Sequence, residues 1–193
     1  MSTQSLHSIH YAGEESLLVE SKPGLGFHPE QFGIVTEKLH TACLRGFVCT
    51  FAIRDGGLFL ESLEVLAKDG RYPEINGVPP ACRGGPLRPA LYFGLGRVPY
   101  TGTLRFGNDR DRTFHVDLFG PSIWMFRRVH EARIADGHVR SVSNISAKMA
   151  RVRAKQPFSA TTAGAIERMR KFAAELDKPI DNSNARLLEE KDE

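Results

Sequence analysis

Gly46-Phe47-Val48-Cys49-Thr50-Phe51-Ala52-Ile53 runs into Arg54-Asp55-Gly56-Gly57 and returns as Leu58-Phe59-Leu60-Glu61-Ser62-Leu63-Glu64-Val65. Two runs rich in β-branched and aromatic residues flank an Asp-Gly pair, which suits the central positions of a type I′ turn, where both residues need positive φ. The stretch predicts an antiparallel hairpin cornered at Asp55 and Gly56. In that register Ile53 faces Leu58 and Phe51 faces Leu60, so four large apolar side chains, extended by Phe47, share one face. The other face of the first strand carries Val48, Thr50 and Ala52 and is not strongly polar either. Such a strand belongs inside a covered sheet, so something must cover its second face.

A second hairpin follows the same plan. Trp124 to Ile134 leads into Ala135-Asp136-Gly137-His138 and returns through Val139-Arg140-Ser141-Val142. Ile134, Asp136, Gly137 and Val139 repeat Ile53, Asp55, Gly56 and Leu58 at a constant offset, which reads as reuse of one hairpin chemistry. Polar residues are denser here, the pattern of a wetter or edge position. Between the hairpins, residues 69–89 are rich in Gly and Pro and read as a long loop. Leu91 to Phe93 and Pro99 to Phe106 read as short strands, with a bend at Thr101-Gly102. Gly107 to Arg112 reads as a polar turn before a strand over Thr113 to Phe119. Upstream, Ser16 to Glu20 and Thr36 to Cys43 read as strands, and the segment holding His7 and His10 as a frayed terminus.

After Asn144 the period changes. Ala160 to Leu176 places Ile166, Met169, Phe172, Ala173 and Leu176 on one helical stripe, with Ser159 as N-cap and Pro179 as stop. This helix is the expected cover for a sheet face, the alternative being that it docks on another subunit. The fold class is therefore mainly β (α+β): an antiparallel hairpin-rich sheet or open barrel with a C-terminal amphipathic helix. Residues 1–145 form the β-rich domain, 146–178 a helical segment packed on it, and 179–193 a polar tail.

Of the 193 residues, 41% are hydrophobic and 25% charged, the balance of a globular chain. Met1 to His10 lacks a basic region followed by an apolar run, and no stretch has the ~18 consecutive apolar residues of a membrane helix, so a cytoplasmic location is expected. Cys43, Cys49 and Cys82 are odd in number and lack a C-x-x-C pair, which suggests neither a disulfide framework nor a zinc knuckle. Net charge is only +3, but residues 127–171 hold eleven Lys/Arg against three acids, while residues 172–193 hold seven acids against three bases.

The chemistry-bearing residues form no recognised constellation. No zinc spacing links the seven histidines, so neither a metal nor a cofactor is expected. Cys43 and Cys49 suit a small apolar role in the first hairpin. Gly24-Leu25-Gly26 and Gly94-Leu95-Gly96-Arg97 resemble pieces of phosphate loops, yet neither completes one, and turn glycines explain them better. Lys148, Arg151 and Lys155 would share one helix face, and with Arg153 they are the candidate polyanion contacts; a solvated face is the competing reading. Arg45 opens an apolar strand, where an arginine either fixes the strand or binds an anion.

Thr-Ala-Cys-Leu-Arg-Gly-Phe at 41–47, Ile75-Asn76-Gly77-Val78-Pro79 and Tyr100-Thr101-Gly102-Thr103-Leu104 add a further signal. Together with the Asp-Gly hairpin, this wording resembles a group of uncharacterised bacterial proteins that share a T-A-x-x-R-G-[FY] strand, a D-G hairpin, an I-N-G loop and a Y-T-G strand. The pieces cover about residues 9–142. The resemblance implies a bacterial β-rich domain and carries no activity with it.

These readings favour a non-enzymatic protein–protein interaction module, such as a bacterial inhibitor or immunity-type protein, that uses exposed strand edges and the 69–89 loop. Two other classes stay open: nucleic-acid or polyanion binding through residues 127–171, and an enzyme whose residues, among them His115, Asp117 or Arg45, converge only in three dimensions.

Overall fold

The computed structural model describes residues 5–82, 88–114 and 120–155. Among these residues, eight strands, β1 (His7–Tyr11), β2 (Glu14–Lys22), β3 (Phe47–Arg54), β4 (Gly57–Val65), β5 (Ala90–Arg97), β6 (Gly102–Arg110), β7 (Phe126–Ala135) and β8 (His138–Asn144), precede one α-helix, α1 (Ser146–Ala154), and two short 3-10 turns lie at Pro29–Phe32 and Ile123–Met125. They form one sheet in the order β3-β1-β2-β6-β7-β8-β4-β5. Because β3 also pairs with β4, the hydrogen bonds run full circle through seven strands, with β5 added on β4. All pairings are antiparallel except β1 with β3, which is parallel.

The first hairpin has the register its sequence dictates: Ile53 opposes Leu58 and Phe51 opposes Leu60, around Asp55 and Gly56 at φ 49° and 68°. The second corner repeats the conformation, with Asp136 and Gly137 at φ 50° and 70°. Glu61 is an extra residue in β4, which restores Leu63 and Val65 to the same face as Leu60.

Among the described residues, the apolar face is covered by the sheet itself. Curling the sheet turns Phe47, Cys49 and Phe51 of β3 toward Ile9, Leu18, Leu104, Phe106, Ala132 and Ile134 on the other strands, and these make one core cluster. The sheet covers itself, as a closed barrel does. Helix α1 lies instead on the outer side of β7, where Met149 joins Val129, Phe126 and Ile123, with Val19, Ile145 and Val152 at the margin. The expected helix over Ala160 to Leu176 and the tail after Pro179 lie outside the described residues.

Several local expectations are corrected. The segment of His7 is not a frayed end but β1, held between β2 and β3. Thr36 to Cys43 makes only isolated bridges, Thr36 with Ala67 and His40 with Cys43. Gly107 to Arg110 is not a turn but the end of β6. Gly107 earns its place by contact: an added Cβ would come within 2.8 Å of Phe126 Cβ and 2.9 Å of Arg128 O. Of the strand expected over Thr113 to Phe119, residues 113 and 114 belong to no strand and 115–119 lie outside the described residues.

The motifs that carry the resemblance all have architectural work. Arg45 donates from Nε to Phe47 O at 2.8 Å and from a terminal nitrogen to Ser5 O at 2.7 Å, tying the start of β3 to the chain before β1. Ile75 and Val78 exchange both backbone hydrogen bonds around Asn76 and Gly77, a tight turn whose Asn76 side chain donates to Leu95 O at 3.2 Å. Tyr100 OH lies 2.9 Å from Pro23 O and 3.2 Å from Thr103 O, and Thr101 Oγ1 accepts from Asp136 N–H at 2.9 Å.

Candidate functional site

The ring closes at its weakest seam. Strand β8 meets β4 through a single residue pair, Gly57 with His138, and the two Asp-Gly corners make that contact. Leu58 N–H donates to Gly137 O and Val139 N–H donates to Gly56 O, both at 2.9 Å. Gly137 must be glycine for the corners to approach, since an added Cβ would stand 2.5 Å from Val98 O. Beyond this seam no described strand pairs with the outer edge of β8.

Antiparallel pairing alternates hydrogen-bonded and non-bonded residue pairs. Val139 sends its N–H outward to Gly56, and Ile145 N–H, beyond the strand, returns inward to Val129 O. With Arg140 as the extra residue in the register shift opposite Arg133 and Ile134, the alternation puts the backbone N–H and C=O of Val142 and Asn144 on the free edge. The strand is correspondingly wet: only Val139 and Val142 are half-buried, and the other five residues are exposed.

Along the inner face of β6 and β7, next to this edge, the core gives way to a polar cluster that reaches solvent, with Glu14 and Arg128 exposed. Phe106 stacks on His130 at 5.6 Å between ring centroids, and Tyr11 meets both rings edge-on at 5.8 and 5.4 Å. One pair further along the same face are Asn108 and Arg128, both bonded to Glu14: Asn108 Nδ2 donates to Oε2 at 2.9 Å and Arg128 donates to Oε1 at 2.6 Å. The Asn108 amide, with Arg128 beside it, holds the Glu14 carboxyl below its ordinary range. Burial lowers the His130 pKa against the pull of Glu14, with Arg128 adding to the decrease, which favours the neutral imidazole. Asn108 Oδ1 is buried and has no hydrogen-bond partner among the described residues.

This cluster escaped sequence reading because Glu14, Asn108, Arg128 and His130 come from three strands. The legible trace was polar residues at core-facing positions of β6 and β7, Phe106-x-Asn108 and Arg128-x-His130, where an apolar alternation breaks off.

The residues singled out in the sequence divide differently. Arg45 is committed to two carbonyls and packs over the Phe47 ring at 5.6 Å, so it fixes the strand. Arg153 donates to Trp124 O and Phe126 O at 3.0 and 2.8 Å, anchoring α1 to the start of β7. Lys148, Arg151 and Lys155 are exposed, spaced to share the outer side of α1 and its end. Cys43 and Cys49 are buried and Cys82 is exposed; burial pushes the Cys49 thiol pKa far up, consistent with the apolar role. His115 and Asp117 lie outside the described residues.

The two Gly-Leu-Gly runs meet in a cleft of about 220 Å³ lined by Leu25, Phe27, Phe32, Leu60 and Leu95, among others. It is no phosphate cradle. Its one basic residue, Arg97, shares a face of the sheet with Phe59, opposite to Leu60, and its side chain donates to His138 Nε2 at 2.6 Å. Among the described residues no group of three or more His, Cys, Asp or Glu is placed to hold a metal ion, and no helix is long and apolar enough to cross a membrane.

No protein-family model matches the chain, and neither a curated protein nor a solved structure matches it.

Proposed function

We propose that this protein is a non-enzymatic interaction module that binds another protein by accepting one of its strands along the β8 edge. The observation that carries the reading is the edge itself: the ring is joined at one residue pair, and among the described residues no strand pairs with the outward backbone groups of Val142 and Asn144. An exposed row of N–H and C=O groups is a template for an incoming strand, whose main-chain bonds supply affinity while neighbouring side chains supply selection. The titratable groups packed against the core support a binding role over a chemical one. His7 accepts a backbone hydrogen bond and Cys49 is held as a thiol by burial. An immunity-type protein that neutralises a bacterial effector is the form that suits a single domain of this size.

The test is Val142→Pro, which removes an outward N–H without breaking a bond inside the barrel. The tagged wild-type chain is expected to retain a protein from bacterial lysate and the variant to lose it, with unchanged circular dichroism. Retention by both would refute strand addition.

Polyanion binding is the second reading. The observation favouring it is the exposed set Lys148, Arg151 and Lys155, beside the half-buried Arg153, one of whose terminal nitrogens donates to two carbonyls.

A further inference from the structure

We infer that the segment received by β8 is acidic and extended; the inference rests on the strand-addition reading and gives the partner its chemistry. Charge around the edge is strongly one-sided. Arg140 is the extra residue of β8 itself, Arg133 opposes Ser141 across the ladder, and both are exposed. At the seam Arg54 and Arg97 lie over the Phe59 ring, 4.4 and 5.5 Å from its centroid. At the other end of the strand α1 presents Lys148 and Arg151 to solvent.

Among the described residues, the acids nearby do not balance these cations. Asp55 lies 3.4 Å from Arg54. Glu131 is engaged by Arg105 at 2.7 Å and stands 3.9 Å from Arg133. Asp136 is exposed at the corner. Neither Arg97 nor Arg140 forms an ion pair among the described residues. His138 cannot neutralise Arg97. Its Nδ1 faces Asp136 O at 2.9 Å and must donate there, which leaves Nε2 as a neutral acceptor for the guanidinium.

An incoming strand projects alternate side chains to the two faces of the sheet. Those on the outer face would run beside Ser141 and Ser143, within reach of Arg140, which has no ion pair among the described residues, and of Arg133, whose contact with Glu131 is long at 3.9 Å, so carboxylates would be attracted and lysines repelled. Those on the inner face would run beside Val142, which is half-buried and packs on the core, and the exposed Asn144 at the strand's end. The surface thus selects an alternation of acidic and apolar residues, which is a strand pattern in itself.

The experiment uses the full chain and three short labelled peptides that alternate valine with glutamate, glutamine or lysine, plus oligothymidylate of matching charge. Binding is read by fluorescence anisotropy and the docking place by amide hydrogen exchange. The glutamate peptide is expected to bind best, to slow exchange at Val142 and Asn144, and to weaken with added salt. Arg133→Gln combined with Arg140→Gln is expected to reduce its affinity roughly three- to tenfold, as for two exposed ion pairs. If the glutamine peptide binds equally and protects the same amides, strand addition stands and the acidic preference is overturned. If no peptide protects those amides, both fail. Stronger binding of the oligonucleotide, or peptide binding without protection of β8, overturns the acidic strand in favour of a diffuse polyanion surface.

Discussion

Lowering the pH from 7.5 to 5 should destabilise the barrel through His7. Its imidazole sits under the start of β3, with the Phe47 and Phe51 rings at 5.7 and 5.9 Å, and its Nδ1 accepts the Cys49 N–H at 2.9 Å. A protonated ring cannot accept that bond, and burial, followed by the nearby Arg45 charge, lowers the pKa to about 3 from 6.5. Between those values the unfolded chain binds a proton that the folded chain refuses, so stability falls as the pH falls below the unfolded pKa. At pH 5 the folded imidazole is almost wholly neutral and the size of the effect depends on the unfolded value: about 2 kcal/mol, rising to ~4 kcal/mol near pH 3. Urea unfolding of the wild type and of His7→Gln at both pH values isolates the term, because other histidines, including His130, are common to the two proteins. The wild type should lose about 2 kcal/mol more than the variant over this interval. Equal pH dependence in the two proteins would refute the assignment of a half-buried, neutral His7.

Three further perturbations address the frame. Gly46→Ala would place a Cβ 2.9 Å from Thr36 Cβ and closer still to Glu37 O, at φ +82°, and should cost about 2 kcal/mol or more in a thermal or urea melt. Arg153→Ala should release α1 from the Trp124 and Phe126 carbonyls, at roughly 1–3 kcal/mol, with faster amide exchange confined to residues 146–154. Met149→Ala, at a site 5% exposed, should cost about 2–3 kcal/mol and loosen the same helix.

The hairpins were legible in the sequence because their information is local. Asp-Gly sets the turn, the turn sets the register, and Ile53, Leu58, Phe51 and Leu60 fall on one face without reference to the rest of the chain. Their meeting was not legible. Nothing in residues 54–57 or 136–139 announces that Gly56 O will accept from Val139 N–H, since that bond depends on the sheet curling until its ends touch. β1 was missed for a related reason: its five residues, His-Ser-Ile-His-Tyr, have weak alternation, and their place is fixed by pairing with β3 some forty positions later. Arg45 and Arg153 show the opposite limit. Sequence marked them by charge, whereas their guanidinium groups are consumed by backbone carbonyls, which carry no signature in a side-chain pattern. The polar cluster at Glu14, Asn108, Arg128 and His130 is scattered over three strands, so only its breaks in alternation could be seen.

Residue-resolved hydrogen exchange of the unbound chain tests the open edge most directly. The amides of Leu58 and Val139, bonded across the seam, should exchange slowly, while those of Val142 and Asn144 should exchange at nearly the rate of exposed backbone. Protection of Val142 and Asn144 equal to that of Val139 would mean that β8 already has a neighbour, and the account of an edge waiting for a partner strand would be wrong.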